Sequence, residues 1–368
     1  MKKTVCLLLL LAALATHVGA ATAVPETRLT EPELAALLGQ ENEVKLTHVR
    51  VCEETANLLF LARDRKSRAL RWFLVNPRLR SVLSQGVCPF REYYGFQIAP
   101  DQSTAVFHGR HPHGFFALNL KSGDWTPLFR NGDQQLFSLS VSPLAYLSAD
   151  RVMSLLDEHD AEGYVTDSFL VQFDLARPAM VRWASMARLQ AAARKLLPDL
   201  PPGTELLNGE MTFAGTEGLA ATLRVRSPDG RLSDALCSFD WAPGAEQPTR
   251  AELLDRFDGR ILPLDCREPS TVLYRRHLGS TTQLMMAEAG EKRLVLEREV
   301  MLANFLGKGE IGVVTVRAGG GMQLLMGPAA GLEEVWGSTR PYAVGFVEGG
   351  SGIVLINDSE VRLLRVPR

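Results

Sequence analysis

Short apolar runs alternate with turn residues along nearly the whole chain, the pattern of strands joined by hairpins. One stretch shows the unit. Tyr94 to Ala99 reads as a strand, and Pro100-Asp101-Gln102 as a turn. Thr104 to His108 is a second strand, Phe115 to Leu120 a third, and Lys121-Ser122-Gly123 a second turn type before Trp125 to Phe129. Four strands thus fit in about forty residues, a spacing that points to an internal repeat.

The same order can be laid on six other stretches. Second strands align at Asn57–Ala62, Ser103–His108, Asp150–Leu155 and Gly218–Leu223, then at Ser270–Arg275, Glu310–Thr315 and Gly352–Asn357. They recur about every 49 residues on average. The expected fold is all-β: a β-propeller of seven four-stranded blades, with a six-bladed or open ring as the alternative. The first strands, which line the channel of such a ring, are expected at Val44–Val51, Tyr94–Ala99, Phe137–Ser142, Met211–Gly215, Ile261–Cys266, Val300–Leu306 and Tyr342–Val347. The last blade shows three strands before the chain stops, so a strand near Thr27–Thr30 is expected to complete it. Two helices interrupt the pattern. Glu31–Gly39 is short, and Ala184–Leu197 is amphipathic and stopped by Pro198, Pro201, Pro202 and Gly203, a helical insertion over 184–204 between blades three and four.

The best-formed unit, Ala99 to Phe129, places Pro100-Asp101, Asn119-Leu120 and Ser122-Gly123 at its turns and at the end of its third strand. In this it resembles the TolB-like and WD-type β-propellers, whose blades carry a Pro-Asp turn, a strand ending in Asp-Leu and a glycine turn. The other blades match faintly, through Asp174-Leu175 and a displaced Pro228-Asp229-Gly230. The resemblance implies architecture over about 320 residues and says little of activity, because propellers host unrelated functions.

The start of the chain changes the picture of where this ring works. Lys2 and Lys3 precede an apolar run, Val5 to Leu14, and Ala21-Thr22-Ala23 gives a small-x-small cleavage pattern. Residues 1–23 are expected to be a signal peptide cut after Ala23, residues 24–43 a segment with the short helix, and 44–368 the propeller. The run is too short to span a bilayer, and no later stretch is apolar enough, so a periplasmic or secreted protein without a transmembrane segment is expected. A net charge of −2, from 40 basic and 42 acidic residues, argues against a nucleic-acid partner. Cys52, Cys88, Cys237 and Cys266 remain after cleavage, an even number that favours disulfides in an exported chain. Three pairings exist. Cys52 and Cys266 fall in distant blades of the expected ring, which favours Cys52–Cys88 with Cys237–Cys266.

Candidate chemistry is sparse. His108, His111 and His113 lie within FHGRHPHGFF, a hairpin between second and third strands. Pro112 and the glycines are turn residues there, with His111 and His113 expected in solvent; the competing reading is a transition-metal site. Asp157 to Glu162 could offer oxygens to calcium, but lacks the spacing of a calcium loop and reads as a solvated hairpin. Gly307 to Gly312 matches GxGxxG, yet precedes a strand where a dinucleotide fold needs a helix. His48 with Asp265 is the best catalytic pair among the channel residues. No catalytic residue, cofactor or metal is assigned. The expected role is a protein-binding or scaffold module of the cell envelope; the alternative is a channel-mouth enzyme, a metal-dependent hydrolase or a lactonase-like propeller.

Overall fold

The computed structural model describes residues 26–38, 44–51, 57–64, 66–76, 80–99, 101–132, 135–138, 144–214, 218–241, 247–279, 281–306, 309–317, 320–339, 342–346, 352–356 and 360–365. The leader and Cys52 lie outside the described residues. Seven antiparallel sheets make up the ring, six of them from strands consecutive in the chain. Blade 1 is Val44–Val51, Leu58–Asp64, Leu70–Asn76 and Ser81–Val87, and blade 2 is Glu92–Ile98, Thr104–Arg110, Gly114–Asn119 and Trp125–Arg130. Blade 3 carries Arg151–His159, Val165–Asp174 and Ala179–Ser185 behind a first strand split into Leu136–Ser138 and Leu144–Ser148, both paired to Arg151–His159. Blades 4, 5 and 6 begin at Glu205–Ala214, Arg260–Glu268 and Val300–Phe305.

The repeat is built from two-faced burial. Second strands are apolar on both sides because each blade is packed between two neighbours, so they read as continuous runs. Within blade 1, Leu59 and Leu61 pack with Phe96 and Phe107 of blade 2, whereas Phe60 and Ala62 pack with Val354 and Leu363 of blade 7. The period-2 alternation of a strand sends successive side chains to opposite seams. Leu236 and Cys237 divide in the same way between the blade 4–5 seam and the blade 3–4 seam.

Ring closure follows the sequence expectation. Glu26–Thr30 pairs antiparallel with Glu360–Arg365 as the fourth strand of blade 7, joining the two ends of the chain and removing a sheet edge. Helix α1, Glu31–Leu38, starts at once. The Thr30 amide and hydroxyl both donate to the Glu33 carboxylate, at 2.8 and 2.9 Å, which anchors the first turn to the closing strand.

Helix α2, Met186–Leu196, fills the connection from blade 3 to blade 4. Ser185 caps it, its hydroxyl accepting from the Arg188 amide at 3.3 Å. Met186, Leu189 and Ala193 are buried among Trp183, Leu170 and Phe239, so the helix wedges into the blade 3–4 seam.

Three expectations change. Cys88, Cys237 and Cys266 are buried free thiols. Cys237 faces the blade 3 side of its sheet while Cys266 packs against the other side of blade 4, so the sheet itself separates the pair proposed from sequence. Asp157 is not solvated: it lies inside a strand, 4% exposed, accepting from the Ser168 hydroxyl at 2.6 Å. The strand expected to end at His108 runs on to Arg110.

Candidate functional site

Strand register defines two ends of the ring. The start of each first strand pairs with the end of the second, as in Glu92 with Arg110 and Glu205 with Arg226. The hairpins between second and third strands therefore share one end with the connections between blades. We call this end the hairpin face.

His108, His111 and His113 sit there, at the seam of blades 2 and 3. The turn is only His111-Pro112-His113, with a cis bond before Pro112 and His111 at φ 61°. Its flanking glycines are needed for close approach. A Cβ at Gly109 would stand 2.7 Å from the Phe90 ring, and one at Gly114 would stand 2.1 Å from the Phe129 carbonyl oxygen. His111 is exposed, but His108 is buried and His113 half-buried. The two buried rings stack at 5.6 Å, 9° from parallel, and Tyr94 packs on both.

His108 Nε2 and His113 Nδ1 take part in a hydrogen-bond relay across the seam, while His113 Nε2 is buried without a protein partner. Asn131 Nδ2 donates to His113 Nδ1 at 2.8 Å, and Asn131 Oδ1 accepts from the Ser138 hydroxyl at 2.7 Å and the Ser138 amide at 2.9 Å. The serine proton being used, His108 Nε2 must donate to Ser138 Oγ, 3.2 Å away. Burial pushes the His108 imidazole down to about 4, helped by His113. His113 is lowered as well, by burial and then by Arg110 and His111. Both are neutral at pH 7. Among the described residues no three His, Cys, Asp or Glu side chains are placed to hold a metal ion.

Of the channel pair, only Asp265 has a described side chain. His48 lies on a described strand, but its side chain is outside the described residues. Asp265 accepts the amides of Phe305 at 2.7 Å and Cys266 at 2.9 Å, tying blade 5 to blade 6. Burial raises its carboxyl, opposed by those amides. Two further acids that the sequence did not single out perform the same task between blades 4 and 5. Asp234 accepts the Ile261 amide at 2.9 Å, and fully buried Asp255 meets Arg276 at 2.6 Å and Lys292 at 3.1 Å.

The hairpin face carries something the sequence did not show. Among the described residues, the exposed large apolar side chains include Tyr94, Tyr164, Val165, Leu232 and Met301, all at this end of the ring. The remaining four, Leu83, Val87, Val181 and Leu294, lie on fourth strands. None belongs to the turns of the opposite end. Tyr164 is the most open, at 72%. Helix α2 follows the fourth strand of blade 3, which runs toward this end and stops where Ser185 pairs with Phe169, midway along the third strand. A groove of about 370 Å³ lies before it, lined by Asp167, Phe169, Arg182, Trp183 and Arg188 among others. A second, of about 260 Å³, lies between the helix and residues 247–251, which lead into the fourth strand of blade 4 at the opposite end of the ring.

No family model matches the chain, and no curated protein matches its sequence. Its fold is similar to solved structures. A manganese complex of oligogalacturonate lyase superposes with TM-score 0.59 at 10% identity, covering 89% of this chain and 92% of that one. The β-propeller domain of the Trilobed protease from Pyrococcus furiosus also gives 0.59 at 10%, covering 88% and 93%. The propeller domain of Cps50 (Swd1) from Myceliophteria thermophila gives 0.50 at 9%, covering 88% and 97%. At such identities the likeness is one of fold. The chain is a seven-bladed β-propeller, closed by its own N-terminal strand and carrying one helix between blades 3 and 4. No described helix is long and apolar enough to cross a membrane.

Proposed function

We propose that this propeller is a protein-binding module of the cell envelope, docking its partner on the hairpin face around blades 2 to 4. One observation carries the reading: exposed large apolar side chains gather at that end of the ring and are missing from the described turns of the other. Apolar groups rimmed by polar ones mark protein interaction sites, and loops on a rigid frame are where such sites are built. The signal-like leader, Lys2 to Ala23, supports action outside the cytoplasm, in the periplasm or beyond.

An enzyme working at the channel mouth is the competing class, and oligogalacturonate lyase has this fold. Such chemistry needs convergent carboxylates or imidazoles free to act. Among the described groups suited to it, Asp265 and His108 are instead spent on hydrogen bonds within the frame.

The test is crosslinking in the native envelope followed by peptide mapping. Crosslinks should fall on the blade 3 and blade 4 hairpins, and Tyr164→Ser with Leu232→Ser should reduce partner recovery at least severalfold. Crosslinks confined to the opposite end, or recovery unaffected by the double substitution, overturn the proposal.

A further inference from the structure

We infer that the outer edge of blade 1, Ser81–Val87, pairs with the same strand of a second copy of this chain, antiparallel and about a two-fold axis through Gln85. This goes beyond the docking face, because it is a separate surface on the flank of the ring. Each fourth strand ends its sheet and turns unpaired backbone outward, a hazard that natural sheets blunt with charge or proline. Six of the seven described fourth strands carry charge, through Arg28 in blade 7 and Arg130, Arg182, Arg256, Arg293 and Glu334 in blades 2 to 6. Blade 1 presents SVLSQGV, with no charged side chain and no proline.

A bulge sits in the fourth strand of blades 1 to 6, and its extra residue is apolar each time. Leu128, Trp183, Leu254, Val295 and Val335 are buried or half-buried there, whereas Leu83 of blade 1 is 50% exposed. The alternation of a strand puts Gln85 and Val87 on the same face as Leu83, and both are exposed, Val87 at 56%. Their backbones face outward too. The Cys88 amide donates to the Leu70 carbonyl at 2.8 Å, so Cys88 is hydrogen-bonded to the third strand. Arg71 with Val87 and Phe73 with Gln85 are then the alternate, unbonded pairs of the ladder. Gln85 and Val87 therefore turn their N–H and C=O to the open side. Val181 and Leu294, the other open apolar residues of fourth strands, stand beside Arg182 and Arg293.

What fits this edge is its own copy. The open row Leu83, Gln85, Val87 is symmetric about its middle. Antiparallel self-pairing centred on Gln85 sets Leu83 against Val87 of the second copy, and Gln85 against itself. Both apolar side chains are covered, and a neutral strand meets its copy without like-charge repulsion. Helix α1 bounds the strip at its start, where Leu37 and Val82 pack into the blade 7–1 seam and Glu33 pairs with Arg80 at 2.9 Å. A strip from Leu83 to Val87 is a small contact, so the dimer is weak and depends on concentration. The two-fold uses up both edges, and association stops there.

The experiment is sedimentation of the purified protein over roughly 1 to 100 μM, where mass action displaces a weak dimer. Wild type should pass from monomer to dimer with no larger species. Gln85→Lys and Gln85→Glu should each stay monomeric throughout, because the axis sets like charges face to face. An equal mixture of the two should recover the dimer. Leu294→Lys, on the outer strand of blade 5, should dimerise as wild type does. Gln85 is exposed, so its variants keep the fold, which melting temperatures equal to wild type at low concentration verify. A monomeric wild type overturns the inference, as do a dimer indifferent to both Gln85 substitutions, a mixture that stays monomeric, or trimers and larger species. Crosslinks in the native envelope that run from Leu83–Val87 to a different protein also overturn it, since the edge then belongs to another occupant.

Discussion

Arg28 Nε lies 2.5 Å from Glu360 Oε2, and the two residues are 332 positions apart. The pair sits at the join between the first and last strands. Glu360 is 6% exposed and also accepts from Tyr342 and from Arg362 at 2.7 Å. Burial acts to raise its carboxyl, but the three donors outweigh it and hold it down at about 2. A carboxyl lowered in the folded state stabilises the fold above its unfolded value near 4.5. That stability is lost as pH falls from there towards 2. Glu360→Gln should unfold more readily at neutral pH and lose this acid-dependent component. Melting temperatures of wild type and variant between pH 7 and pH 2.5 check it: the curves should converge at the acid end.

A second tie is internal. Asp255 is completely buried and held by Arg276 and Lys292. Removing one partner of a buried ion pair leaves the other uncompensated, typically at a cost of about 3–5 kcal/mol. Arg276 is 18% exposed and Lys292 45%, so water relieves part of that. Asp255→Ala is expected to destabilise by about 2–3 kcal/mol, read from urea unfolding. Asp255→Leu with Arg276→Leu should recover more than half of the loss, because no charge is then stranded.

The strands were legible because every blade is covered on both sides, which forces apolar runs such as Leu58–Ala62 and Val313–Val314 into the sequence. The helix α2 insertion and the closing strand were legible too, one from its proline stop and the other from a blade short of a strand. Other features depend on neighbours distant in sequence. His108 is buried because the first strand of blade 3 brings Ser138 to it. Asp157 is internal because the Ser168 hydroxyl donates to its carboxylate from the neighbouring strand. Which apolar residues remain open to solvent is decided only when the ring closes, so the bias of Tyr94, Tyr164 and Leu232 to one face left no trace in local pattern.

Burial also fixes the cysteine chemistry. Desolvation pushes the Cys237 thiol up to about 12 and raises Cys88 and Cys266 further. A thiolate is the reactive form, so all three should resist iodoacetamide in the folded protein and react in denaturant. Peptide mapping without reductant should recover Cys237 and Cys266 as separate thiol peptides. A linked peptide would contradict the sheet that stands between them.

The histidine seam predicts a pH response of its own. His108 is neutral in the fold, with its value lowered from 6.5 to about 4 by burial. In the unfolded chain it gains a proton below about 6.5, so unfolding takes up a proton between those limits and stability falls as pH drops through them. The loss is on the order of 3 kcal/mol by pH 4. Replacing His108 with phenylalanine keeps a ring against Phe115 and Tyr94 and removes the proton. The variant gives up the bond to Ser138, about 1 kcal/mol at neutral pH, yet should be flatter between pH 6.5 and 4. Urea unfolding at intervals across that range is the measurement. His111→Ala, at the exposed tip of the turn, should track wild type throughout. Parallel wild-type and His108→Phe curves would mean that His108 takes up its proton as readily in the folded protein as in the unfolded chain, and would overturn the claim that burial holds it neutral.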